Sequence, residues 1–233
     1  MENKELIQLK KDVSSRLKEI DVNSHKLSST DKRLTVYIRD CIDNPDKHNF
    51  YELLAVERFF LFLQKYEYRA GEVRKFITLF EELKFSGDKG ATKIKATPVQ
   101  IFQFANIKGF YRSDGRRLTN YALLFVPRKF GKTTETVAFM VDDLLFGDAN
   151  SQCYAGANSY KQAQILFGEL KNVLRRLDRR LKRFKINREE ITHLGLVRTS
   201  KAGCLASKPD NLDGLNASLG IYDELSNADS FGL

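Results

Sequence analysis

The sequence predicts an α/β fold: a mostly parallel sheet with flanking helices over residues 91–233, preceded by an all-helical region over 1–90. Three observations predict it. Apolar residues near the N-terminus recur at three- and four-residue steps (Leu6, Leu9, Val13, Leu17, Ile20), the period of an amphipathic helix. Beyond residue 120, short β-prone runs alternate with helix-like stretches, the pattern of strands covered by helices. Two of those runs end in phosphate- and metal-handling groups: Gly131-Lys132-Thr133 after 122–126, and Asp223-Glu224 after 219–222.

Taken in order, further helices are expected from Asp31 to Ile42, broken by Asn44-Pro45, then over 50–68 and 71–85. Phe59, Phe60, Phe62 and Tyr66 read as core. Ser86 to Gly90 reads as a hinge-like turn, and Pro98 suits the first turn of the next helix. A polar loop from Gly109 to Leu118 carries Arg112, Arg116 and Arg117. Strands are expected at 121–126, 152–155, 195–199, 203–206 and 218–223, and helices at 132–145 and 159–184.

The run Ala122 to Val126 followed by Pro127-Arg128-Lys129-Phe130-Gly131-Lys132-Thr133-Thr134 has the layout of a phosphate-binding loop. Such a loop is a strand, a turn whose N–H groups wrap an anion, and a helix whose N-terminus faces it. It departs from G-x-x-x-x-G-K-[ST], since Val126 stands at the first glycine. The plain alternative is a basic turn between strand and helix. About 90 residues on, Asp223 and Glu224 close another apolar run. In P-loop ATPases a carboxylate there holds Mg²⁺ and an adjacent Glu activates water, against the plain reading of a solvated strand end.

The net charge of +9 favours a polyanionic partner. No apolar run is long enough to span a membrane. Cys41, Cys153 and Cys204 are widely spaced and odd in number, so they read as reduced thiols rather than a disulfide frame or zinc site. His25, His48 and His193 form no ligand spacing. Lys171, Arg175, Arg176, Arg179, Arg180 and Lys182, followed by Arg183, Lys185 and Arg188, crowd the end of the 159–184 stretch, with Asp178 the acid among them. Such a run is either a solvated helix face or a surface for phosphates, in DNA or in a neighbouring subunit's nucleotide.

Together these stretches resemble the ATPase half of phage terminase large subunits. Pro98-Val99-Gln100 with Phe104 to Phe110 is similar to that family's adenine-side glutamine motif, and Val126 to Thr134 resembles its deviant Walker A. Tyr154 to Ala163 resembles the segment after its second strand, and Leu212 to Ser218 leading into Asp223-Glu224 resembles its approach to Walker B. The resemblance covers roughly residues 50–233 and implies an ASCE-type P-loop NTPase using ATP and Mg²⁺.

It further implies that Gln100 contacts the adenine, that Gly131 admits the phosphates, and that Lys132 reaches the β- and γ-phosphates. Thr133 would share Mg²⁺ with Asp223, and Arg128 would act at the γ-phosphate; Lys129 and Thr134 complete the phosphate-binding set, and Glu224 is the catalytic acid. An arginine from a neighbouring subunit would complete the site, with Arg175, Arg176 and the 112–117 arginines as candidates. Implied partners are double-stranded DNA, the portal, the small terminase subunit and further copies in a ring, in the host cytoplasm. Members of the family continue into a coupling motif and an acidic nuclease domain. An ATPase domain incomplete at its C-terminus is therefore expected, with nuclease activity only in full-length members. The rival functions are a helicase-type DNA-dependent ATPase and a non-hydrolysing module that docks DNA or a partner.

Overall fold

The computed structural model describes residues 3–127, 129–157, 159–180, 182–195, 199–206 and 216–223. The chain divides into two compact units, 1–78 with 95–123, and 79–94 with 124–233.

The first unit is mainly helical. Its elements are α1 (Asn3–Lys18), α2 (Lys32–Asp43), α3 (Phe50–Lys65), β1 (Glu67–Tyr68) and the larger part of α4 (Ala70–Glu82). After the hairpin of β2 (Lys84–Gly87) and β3 (Gly90–Lys93), the chain returns to this unit with α5 (Pro98–Lys108) and β4 (Phe110–Tyr111). Local chemistry starts these helices. Asp31 caps α2 by accepting the Arg33 N–H at 2.8 Å, and the Arg33 guanidinium on the same carboxylate holds Asp31 below its ordinary pKa. Asn49 and Glu52 form a reciprocal capping box at α3.

The core of this unit is aromatic: of the four residues expected there, Phe59 and Phe60 are buried, while Phe62 and Tyr66 are half-buried. Phe59 is fully buried, with ring centroids 5.1 Å from Phe110, 5.5 Å from Phe102 and 5.7 Å from Tyr68. Gly109 is required between these layers. A Cβ there would lie 2.4 Å from the Tyr68 ring and 2.4 Å from the Ala105 carbonyl. Removing the ring at 59 leaves a large dry void, so Phe59→Ala is expected to cost about 3–5 kcal/mol. A denaturant midpoint unchanged from wild type would contradict that packing.

The second unit carries α6 (Lys132–Phe146), β5 (Gln152–Ala157), α7 (Tyr160–Leu177), β6 (Phe184–Ile186), β7 (Glu190–Leu194), β8 (Thr199–Ala206) and β9 (Leu219–Asp223). They form a five-stranded sheet in the order β6-β7-β8-β5-β9. β5 is parallel to both neighbours, with Ala157 level with Ala206 and Asp223. The helices α6 and α7 pack on β5 and β8. On that account Cys153, Ala155 and Ala157 are buried, while the alternate Gln152, Tyr154 and Gly156 are not fully so. α7 turns Ala163, Leu166, Phe167, Leu170, Val173 and Leu174 inward, all buried at helical spacing.

Four expectations need correction. The sheet is mixed rather than mostly parallel, because β6, β7 and β8 run antiparallel through short connections. The stretch expected as a helix over 159–184 is helical only to Leu177. Asp178 then accepts the Arg183 N–H at 2.6 Å and turns the chain into β6. The strands expected at 195–199 and 203–206 are replaced by one strand over 199–206, with β7 just before it. Residues 121–126 form no strand. Tyr121 and Phe125 are 96% and 94% exposed, and the run is not among the five strands of the sheet.

Candidate phosphate-binding site

The site is built from the start of α6. Lys129 and Gly131 both have positive φ, 67° and 105°, so the turn before the helix curls on itself. Glycine suits the second position because the left-handed region strains other residues. Gly131 is the N-cap and supplies no side-chain hydrogen bond. The intrahelical ladder starts with the Glu135 N–H on the Gly131 carbonyl at 3.1 Å. The N–H groups of the first turn therefore have no partner within the helix and point toward its positive end. The Thr134 hydroxyl donates to the Gly131 carbonyl at 2.6 Å and fixes the turn. Thr133 is exposed, and Lys132 is half-buried beside it.

The far end of α6 is anchored by side chains the sequence did not single out. The Ser218 hydroxyl donates to the Asp143 carboxylate at 2.7 Å, and the Ser151 hydroxyl donates to the Asp143 carbonyl at 3.1 Å. The Ser218 N–H meets the Gln152 carbonyl at 2.8 Å. The last turn of α6 thus sits at the first residues of β5 and β9. The helix rises ~22 Å and the six-residue strand ~20 Å, so α6 is long enough to run back along the whole of β5. The helix start and Asp223 belong to the same unit.

The other candidate residues are less well placed for comparison. Arg128 and Glu224 lie outside the described residues, as do Leu212 to Leu215 of the approach to Asp223. Gln100 belongs to the first unit and is 4% exposed. Its Oε1 accepts the Thr97 N–H at 2.9 Å and the Thr97 hydroxyl at 3.0 Å, completing the capping box of α5. Among the described residues no cluster of three His, Cys, Asp or Glu is arranged to hold a metal. Mg²⁺ commonly takes one or two protein oxygens and completes its shell with water and phosphate. A hydroxyl at 133 and a carboxylate at 223, both in the second unit, are oxygen ligands of the kind Mg²⁺ takes.

A groove of about 520 Å³ opens beside the first turn of α6, bounded by Thr133, Thr134, Gln164 and Gly168, with Ser86 of β2 on its rim. The hairpin is latched there. Glu169 accepts the Ser86 N–H at 2.7 Å and the Ser86 hydroxyl at 2.6 Å, while Arg176 donates to the Lys84 carbonyl at 2.9 Å and to the Ser86 hydroxyl at 2.9 Å. Arg176, one of the candidates for acting on a neighbour's nucleotide, is committed to this latch. Arg176→Ala is expected to cost about 1–3 kcal/mol in hairpin docking, from hydrogen bonds to a charged group. Trypsin should then cut at Lys84, Lys89 or Lys93 faster than in wild type, and equal cleavage rates would count against the latch.

The model of the terminase large subunit ATPase domain matches residues 98–230, more than half of the chain. Comparison with curated proteins finds no match. Among solved structures, the large terminase of bacteriophage HK97 is similar with a TM-score of 0.52 and 23% identity, covering 66% of this chain and 31% of that one. The large terminase ATPase domain of Thermus phage P74-26 is 25% identical over 41% of this chain and 44% of that one, at a TM-score of 0.35. The chain spans less than half the length of either.

Proposed function

The chain belongs to the terminase large subunit ATPase-domain family, and from that premise we propose that it is the ATP-hydrolysing part of a motor that packages double-stranded DNA into phage procapsids. The observation that supports this reading is the α6 start, without a side-chain cap, in the same unit as Asp223, with the far end of α6 tied to the first residues of β5 and β9. An anion at that helix start gains the first-turn N–H groups and the helix dipole together. The Lys132 ammonium neutralises the β- and γ-phosphates, and Arg128 with Lys129 adds positive charge where it develops in transfer. Thr133 and Asp223 hold Mg²⁺, which when bound screens the phosphate oxygens. Thr134 keeps the turn in register, and Glu224 orients the attacking water and accepts its proton.

The active form in this reading is a homo-oligomeric ring that meets the portal and the small terminase subunit. Calorimetric titration of the protein with ATP and Mg²⁺ tests it: saturable binding of one nucleotide per chain is expected, and no heat at millimolar ATP would overturn it. A second reading, a module that binds without hydrolysis, draws on one observation. Residues 121–126 lie outside the sheet, so the phosphate-binding turn lacks the strand that would brace it. ATP binding with no turnover in concentrated protein would favour that alternative.

A further inference from the structure

We propose that the turn between α7 and β6 is a docking surface for the backbone of duplex DNA, set apart from the nucleotide edge of the same unit; the identity of the polyanion rests on the packaging reading above. Arg179, Arg180, Lys182, Arg183 and Lys185 are exposed there, flanked by exposed Arg175 and Arg188. Among the described residues none of the seven has an ion-pair partner. The nearby acids are already engaged. Asp178 accepts the Arg183 N–H, and backbone N–H groups at 182–184 hold its carboxyl below the usual range. Glu189 accepts the Tyr160 hydroxyl at 2.9 Å.

A helix C-terminus accounts for cations in its last turn and no further. The helix stops at Leu177, so the dipole explains Arg175 and not the group at 179–185. The neighbouring cations have structural tasks, Arg176 in the hairpin latch and Lys171 on the Arg188 carbonyl. What remains is a dense cluster of exposed cations, in excess of the nearby acids, on a turn held in shape by Asp178.

Its position follows from the topology. α7 starts just past Ala157, at the nucleotide edge, and packs back over β5 and β8 for ~27 Å of helix axis. The basic turn therefore lies at the opposite end of the sheet and cannot serve this chain's own bound phosphates. Its chemistry selects among polyanions. The one aromatic residue of the stretch, Phe184, is 1% exposed, so there is no platform for unstacked bases. Among the described residues of the stretch, Leu177 is the one exposed large apolar side chain, too little for insertion into a lipid surface. Charge without stacking groups suits phosphates of a duplex, bound without regard to sequence.

Fluorescence anisotropy with a labelled duplex of mixed sequence, across a salt series, tests this on the whole chain. The variant R179A/R180A/K182A should bind at least about tenfold more weakly, and its log–log salt slope should fall by about 2–3. A charge-matched control, K4A/K11A/K18A on α1, should keep the wild-type slope. Patch and control variants that behave alike would overturn the proposal. So would single strands, polyglutamate or phosphatidylserine vesicles binding more tightly than duplex. ATP titration on the same proteins separates the two claims: the patch variant should bind ATP as wild type does. Wild-type protein that binds the duplex but not ATP would overturn the nucleotide reading alone.

Discussion

Lys132→Ala is expected to weaken ATP binding by about 10- to 100-fold, with the fold intact. The estimate follows from losing charge-assisted hydrogen bonds to phosphate, worth about 1.5–3 kcal/mol, where about 1.4 kcal/mol is one decade in affinity. Lys132 is the first residue of α6 and half-buried at the mouth of a turn with two positive-φ residues. Its aliphatic stem carries no core packing, so thermal stability should not move. Titration calorimetry with ATP and Mg²⁺ reads the effect. Unchanged affinity would mean that the turn is a basic connection and nothing more. The control is Lys129→Ala, which should lose less, because its residue lies outside the helix start.

Glu224→Gln is expected to lower turnover by about 10²–10⁴-fold while leaving nucleotide affinity close to wild type. Glutamine keeps the size and one acceptor of the carboxylate but cannot take a proton from water. In this reading the ground-state contacts with the nucleotide come from Lys132, Thr133 and the first-turn N–H groups, so binding should survive. Single-turnover hydrolysis alongside ATP titration separates the two quantities. Equal hydrolysis by the variant would remove Glu224 from the mechanism. Joint loss of binding and turnover would assign it a role in holding the nucleotide instead.

Much of the second unit is legible residue by residue. Gly131 before Lys132 announces a helix start that must adopt a left-handed turn, and φ at 131 is 105°. The apolar spacing from Ala163 to Leu174 announces α7 and the face it buries. The end of α7 was not legible, since Leu181 and Phe184 continue the helical period while the Asp178 turn interrupts it. Periodicity records which residues want burial, not which hydrogen bond stops the helix. Strand 121–126 failed for a related reason. Its residues have β-propensity, but a strand exists only where it pairs with a neighbour, and this run pairs with none of the five strands of the sheet.

By itself the sequence determined the local chemistry: the helical period from Leu6 to Ile20, the proline that opens α5, the glycine at 131, the acid at the end of the β9 run and the excess of cations after Leu177. These depend on neighbours a few residues away, so they are written in the order of the chain. The tertiary structure alone decided that Ser218 meets Asp143, that Glu169 and Arg176 hold Ser86, and that β9, with Asp223 at its end, pairs with β5. Those pairings join residues 75 to 90 positions apart, or elements with no shared motif. Only the packing of α6 and α7 on one sheet brings them within hydrogen-bonding reach.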